Sequence, residues 1–509
     1  MSARVGGADS EALVRVATSS GRLIGKKVGT VSVFKGIPYA TPPVGALRWQ
    51  PPRPQLPWDG DRLALEFGPA PMQVLPPRSS LMYRLNHDEA NALVMSEDCL
   101  YLNVWSPDPS PRANLPVLVW IHGGANKTGH GGQDLFDGSR LAARGMVVVT
   151  VNMRLGALGF LSLPALIAED PLGSSGNYGV QDVAAALLWV QENVTAFGGD
   201  PARVTVGGNS AGAATVTHLM AAPGMRGLFR AAIGQSASGM FRPEGRMLNQ
   251  REAAELGLAA VSSLGSTLEQ LRDLPATAFL GIPPQGVIVD GRLLVEETTK
   301  VFLEGRQVAV PLLVGWNADE GSLFASNAED GFKSLSCSQH ARAILDRTYP
   351  LESVGEGLSA RRALIGDKRF TYPVWRWART HAETSAAPTW LYEFDHQLPL
   401  PDDVPPPPDG ERDYGAFHTA EVPYTWDNLA MRPWEWSDAD HNIAQQLADA
   451  WTRFVADGDP NGSGLPIWRK FNASCDEHLM IFGETTKPGR ASRREAFDVF
   501  DKINFRINW

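Results

Sequence analysis

Ser210 is the first residue of this chain whose type and setting could do chemistry. It lies in Val204-Thr-Val-Gly-Gly-Asn-Ser-Ala-Gly-Ala213. This reads as a β-branched strand, a tight glycine turn and the start of a small-residue helix. Ser210 is the centre of Gly208-Asn209-Ser210-Ala211-Gly212, a G-x-S-x-G. A serine nucleophile has to stand exposed on a sharp strand-to-helix turn. Flanking glycines remove Cβ atoms where the backbone runs close to itself. The helix that follows aims its N-terminal N–H groups and positive dipole end at the reacting centre. The pentapeptide also occurs as an ordinary turn, so distant partners must decide its meaning.

A serine hydroxyl is a weak nucleophile until a base takes its proton, and that base is best a histidine oriented by a buried carboxylate. Of ten histidines, His340, His381, His396, His418 and His441 lie between residue 300 and a turn-rich tail. His418 stands in Gly415-Ala-Phe-His-Thr-Ala-Glu421, a loop entered through a glycine, which suits an imidazole that must reach a sheet edge. His396 and His441 read as surface histidines. The acid lies in Val314-Gly-Trp-Asn-Ala-Asp-Glu-Gly321, just past an apolar strand, where Asp319 and Glu320 both qualify. An oxyanion hole needs backbone N–H groups aimed at a developing alkoxide. His122-Gly-Gly-Ala-Asn126 follows a buried strand and has the right form, with donors expected from Gly124, Ala125 and Ala211. Lys127-Thr128 behind it superficially suggests a phosphate loop, but the required glycine spacing is missing.

The elements that would position these residues alternate. Residues 13–37 read as an antiparallel meander. Residues 34–49 are punctuated by Pro and Gly and read as a packed loop; residues 97–105 read as a strand. Apolar runs at 116–121 and 146–151 look like strands buried on both faces. Helical spacing marks 182–194 and 439–455, and further strands are expected at 204–206, 231–235, 308–314 and 390–394. Such alternation means a mostly parallel sheet with helices on both faces, its sites at the C-terminal edge of the strands. The proline-rich segment 398–410 is a stiff surface loop, either a rim of the site or a plain connector.

Composition is that of a soluble enzyme: 509 residues, 43% hydrophobic and 20% charged, with a net charge of −10. The negative charge argues against nucleic acid or an anionic membrane as partner. Three cysteines, Cys99, Cys337 and Cys475, form neither a disulfide framework nor a zinc pattern. Residues 1–30 lack the apolar core of a leader, and no run of eighteen apolar residues occurs. A cytoplasmic protein fits, as does one whose leader has been removed.

Taken together, these blocks resemble the type B carboxylesterases, α/β-hydrolases that include cholinesterases and bacterial para-nitrobenzyl esterases. The resemblance rests on Phe34-Lys-Gly-Ile-Pro-Tyr-Ala40, Pro42-Pro-Val-Gly-Ala-Leu-Arg-Trp49, Glu97-Asp-Cys-Leu-Tyr-Leu-Asn-Val-Trp105, Asn152 to Phe160, Gly176 to Asp182 and Phe197 to Gly212, in that order. It implies one α/β-hydrolase domain over 1–509, with a large mostly parallel sheet, an N-terminal meander and substrate-shaping insertions near 72–96 and 398–410. It implies a serine esterase with Ser210 as nucleophile, Glu320 as acid and His418 as base, acting on a small-molecule ester without metal or organic cofactor. Ser236 occupies the family position that supports the acid by hydrogen bonding. His122, Phe417, Met82 and Tyr83 are candidate neighbours or pocket walls, though core packing is the plainer reading of Met82 and Tyr83. Three departures stand out. Asn209 replaces the usual glutamate before the nucleophile, which should weaken attraction for cationic substrates. Ala125 replaces the third glycine of the oxyanion turn. Cys99 lacks its usual upstream partner and is expected to be a free buried thiol, as in a reducing compartment. A non-catalytic, neuroligin-like binding protein and a lipase for long-chain esters are the alternatives.

Overall fold

The computed structural model describes residues 12–86, 92–241, 245–325, 338–352, 357–411, 413–474 and 477–508. Residues 87–91 of the first expected insertion, and Cys337 and Cys475, therefore lie outside the described residues.

A 13-stranded sheet organises the chain. Its strands are β1 Leu13–Thr18, β2 Gly21–Val28, β3 Val31–Pro38, β4 Tyr101–Ser106, β5 Leu115–Ile121, β6 Val147–Val151, β7 Gly199–Asn209, β8 Ala231–Gln235, β9 Leu312–Asn317, β10 Thr389–Asp395, β11 His478–Gly483 and β12 Lys487–Arg490. The short strand Asp61–Leu63 pairs beside β2. Spatial order is β1-β2-β3-β4-β6-β5-β7-β8-β9-β10-β11-β12. Strands β1 to β4 form the antiparallel meander and its extension. From β6 through β5, β7, β8, β9 and β10 to β11 every pairing is parallel. The central strands read as unbroken apolar runs because helices cover both faces: all five residues of Val147-Val-Val-Thr-Val151 are buried.

The helices that matter here are α1 Tyr178–Asn193, α2 Ala211–Ala221, α3 Tyr372–Thr384, α4 Asp438–Asp457 and α5 Arg494–Asn508. Among the described residues no helix is long and apolar enough to cross a membrane, and Cys99 is free and buried.

Several expected boundaries move, each for a local reason. The loop expected over 34–49 begins later, because β3 runs to Pro38 and pairs with β4. The strand expected at 97–105 starts only at Tyr101. That expected at 308–314 starts after Pro311, which has no N–H to donate to a ladder. The segment taken as a turn-rich tail supplies β11, β12 and α5. Leu479, Met480 and Phe482 of β11 are buried against β10. Strand β12 is mostly exposed and carries Pro488 and Gly489, a composition suited to a sheet edge.

Candidate active site

Strand β7 delivers Ser210 at its C-terminal end, and α2 begins one residue later. Ser210 has φ 52° and ψ −125°, a conformation costly for any residue with a Cβ. Its N–H donates to the Gln235 carbonyl at 2.7 Å, tying the turn to the end of β8. The flanking glycines are required by packing. A Cβ on Gly212 would lie 2.1 Å from the Ile121 carbonyl oxygen, and one on Gly208 would lie 2.8 Å from that same oxygen. The two positions thus let the end of β5 abut the serine turn.

Strand β5 leads directly into the glycine turn beside Ser210. Gly124 has φ 104°, and Ala125 and Asn126 follow in the left-handed region at 54° and 58°. The Gly124 carbonyl accepts the N–H groups of Lys127 and Thr128 at 2.9 and 3.0 Å, which closes the turn. Among the described residues, the N–H groups of Gly124, Ala125 and Ala211 donate to no protein acceptor. Gly124 and Ala125 line the cavity above Ser210, while Ala211 opens α2 directly behind it.

His418 arrives on the loop after β10. Its Nε2 lies 2.8 Å from Ser210 Oγ, and its Nδ1 lies 2.5 Å from Glu320 Oε2. The other oxygen of Glu320 accepts the Asn317 N–H at 2.9 Å. Both His418 and Glu320 are buried. Asp319 turns the other way: its Oδ2 accepts the Ala416 N–H at 2.9 Å and so pins the histidine loop. Burial pushes the Asp319 carboxyl above its ordinary range, partly offset by that N–H.

A second carboxyl sits below the first. Glu421 accepts from Gln235 Nε2 at 2.9 Å, Asn317 Nδ2 at 2.6 Å and Ser236 Oγ at 3.5 Å. Burial first, and the nearby Glu320 charge second, push the Glu421 carboxyl upward. Ser236 was expected to support Glu320; its hydroxyl donates to Glu421 instead. Two expected neighbours also face elsewhere. Phe417 is fully buried and packs edge-on against Tyr414, since its neighbour His418 takes the side facing the serine. His122 is buried beneath the oxyanion turn, its Nδ1 2.8 Å from the Gly123 carbonyl oxygen. Desolvation lowers it to about 4, so it is neutral. His396 is no surface residue: it lies 2.9 Å from Asp440 and is largely buried, whereas His441 is exposed.

The cavity over Ser210 holds about 580 Å³, within the range of small-molecule sites. Met82, Phe136, Leu323 and Phe324 give it apolar walls, and Asn209 lies at its floor beside Ser210. Tyr83 is buried and faces a neighbouring hollow. Pro76 and Pro77 from one expected insertion and Pro405 and Pro408 from the other reach the same cavity. Above the imidazole, Phe370 stacks at 4.1 Å between ring centroids and Phe324 meets it edge-on at 5.7 Å. Phe370 gets there on a wide helical turn, Asp367–Thr371, immediately before α3. Asn317, Glu421 and Phe370 escaped sequence reasoning. Glu421 had a signal, three residues after His418 in the same motif; Asn317 and Phe370 had none.

The family model described as "Carboxylesterase family" matches residues 12–500. The chain belongs to the carboxylesterase family. Carboxylesterases with curated names align along nearly its full length. A fumonisin B1 esterase from Sphingopyxis macrogoltabida is 35% identical, covering 94% of this chain and 88% of that protein. A para-nitrobenzyl esterase from Bacillus subtilis (strain 168) is 34% identical, covering 92% and 95%. Among solved structures, a carboxylesterase from Geobacillus stearothermophilus superposes with a TM-score of 0.80 at 29% identity, covering 96% of this chain and 99% of that one. The α/β-hydrolase fold and the esterase class expected from the sequence are thereby those of this carboxylesterase.

Proposed function

We propose that Ser210, His418 and Glu320 are the catalytic triad of this esterase, and that Gly124, Ala125 and Ala211 supply its oxyanion hole. The carrying observation is the continuous chain from Ser210 Oγ through both ring nitrogens of His418 to Glu320, at 2.8 and 2.5 Å. It stands beside backbone donors that have no protein acceptor among the described residues. In this reading Ser210 Oγ attacks the ester carbonyl carbon while His418 Nε2 takes its proton. The oxyanion forms among the three N–H groups. His418 then gives the proton to the departing alcohol, leaving an acyl-serine. Water, deprotonated by the same nitrogen, attacks the acyl carbon and releases the acid. Glu320 holds the ring orientation and offsets its positive charge.

The proposed substrates are small to medium, non-cationic esters, turned over by one domain whose two insertions shape the cavity. Support comes from the cavity's volume, its mostly apolar wall, its proline rims and the neutral Asn209 beside the nucleophile. An intact serine–histidine–glutamate chain speaks against a purely binding role. The test is labelling by a fluorophosphonate together with steady-state hydrolysis of short and long acyl esters. Ser210→Ala is expected to abolish labelling and to lower kcat by on the order of 10⁴ or more, with the fold retained. Stoichiometric labelling or near-parental turnover in that variant would remove Ser210 from the mechanism.

A further inference from the structure

Among the described residues, the wall of the catalytic cavity includes one lysine and no carboxylate. Its ionisable side chains are Lys127, His418 and Tyr414, and His418 is held by Glu320 and Ser210. Lys127 is exposed and has no ion pair among the described residues. Its backbone is fixed in place. Its N–H donates to the Gly124 carbonyl at 2.9 Å, three residues before it in the turn that carries the oxyanion donors.

Among the described residues, the surroundings leave that charge without a built-in counter-ion. Asn209, beside the nucleophile, is neutral. Two acidic residues of the proline loop are turned to other partners, Asp403 pairing with Arg84 at 2.8 Å and Asp409 with Arg362 at 2.5 Å, and its third, Asp402, does not line the cavity. The backbone donors of Gly124 and Ala125 and the N-terminal end of α2, all beside Ser210, favour negative charge. The protein as a whole is anionic, at −10, so this positive site is a local feature set against the global field.

We propose that the preferred esters of this site carry a carboxylate on their acyl or alcohol part, and that Lys127 is the specificity-determining residue that receives it. The proposal rests on the esterase reading above. Neutral esters leave Lys127 hydrated and remain substrates. An anionic ester gains a charge pair at the cavity wall, worth about tenfold in kcat/KM. The reaction itself is unchanged, since the carboxylate takes no part in bond making or breaking.

The experiment measures kcat/KM for two matched pairs. Mono-para-nitrophenyl adipate against para-nitrophenyl hexanoate places the charge on the acyl chain. 4-Acetoxybenzoate against its methyl ester places it on the alcohol. Each is run with the parent enzyme, Lys127→Met, Lys127→Arg and Lys127→Glu. The readout is the anionic-to-neutral ratio within each protein, so loss of active enzyme cancels. For at least one pair the ratio is expected to fall about tenfold in Lys127→Met and further in Lys127→Glu, and to stay within about threefold in Lys127→Arg. The pair that responds identifies which part of the ester faces Lys127. Ratios that stay within twofold of the parent in both Met and Glu variants overturn the proposal. A parent enzyme that hydrolyses none of the four esters and takes up no fluorophosphonate overturns the esterase reading, and the proposal falls with it.

Discussion

Asp319 and Glu320 are sequence neighbours with opposite tasks. Glu320 opens a short helical turn and reaches the imidazole, held by the Asn317 N–H. Asp319 accepts from Ala416 and fixes the loop on which His418 rides. Their replacements should separate accordingly. Glu320→Ala is expected to lower kcat by about 10² to 10⁴, because the imidazole loses its orientation and its counter-charge. Asp319→Ala should keep kcat within about tenfold and lower stability by about 1–3 kcal/mol, the cost of an unpaired buried N–H. Steady-state kinetics and denaturant midpoints on both variants decide this. A larger kcat loss in the Asp319 variant would reverse the two roles.

At the scale of elements, the serine turn, the oxyanion turn and the end of β5 form one packed unit. Gly208 and Gly212 are needed because the Ile121 carbonyl occupies the space a Cβ would take. The histidine loop shows the same logic at Gly415, with φ 57° and a Cβ position 2.1 Å from Asp319 Oδ2. Gly212→Ala is therefore expected to cost at least about 3 kcal/mol by overpacking and to lower activity beyond what the fraction folded explains, since β5 and its donors are pushed away. Thermal unfolding and active-site titration of the soluble fraction provide the check; a variant with parental Tm and parental kcat would show that this unit tolerates a methyl group. Residues 208, 212 and 415 were legible in the sequence as glycines in motifs. The partner each glycine makes room for was not, because it comes from a strand or loop far away in the chain.

Across the whole molecule, buried polar pairs connect blocks that look unrelated in sequence. Arg48 binds Glu97 at 2.7 and 2.6 Å, and Arg154 binds Asp182 at 2.8 and 2.7 Å. Buried histidines set the acid limit of this assembly. Desolvation lowers both His122 and His381 to about 4. The unfolded chain binds protons at these positions near pH 6.5, while the folded protein does so only near 4. Stability from the two groups is thus fully present above about pH 6.5 and is lost as pH falls toward 4, by on the order of 3 kcal/mol each. Urea midpoints at pH 7.5 and 5 should show this loss. His381→Gln should be less stable at pH 7.5, having lost the contact to the Val310 carbonyl, yet fall less steeply between the two pH values. Parallel profiles for parent and variant would rule out His381 as a contributor.

The sequence by itself determined the strand–helix alternation, the serine turn, the oxyanion turn and the loop that carries His418. Those features are written in local periodicity and in glycines that local backbone geometry demands. It also carried the family blocks, in order, along most of the chain. Only the tertiary structure decided which of two adjacent acids meets the imidazole, that Ser236 serves Glu421, that His122 and Phe417 face inward, and that Lys127 is the one lysine of the cavity wall among the described residues. Those outcomes depend on the direction of side chains in loops. For the two acids and Ser236, contacts between residues roughly a hundred or more positions apart set that direction, and no local pattern encodes it.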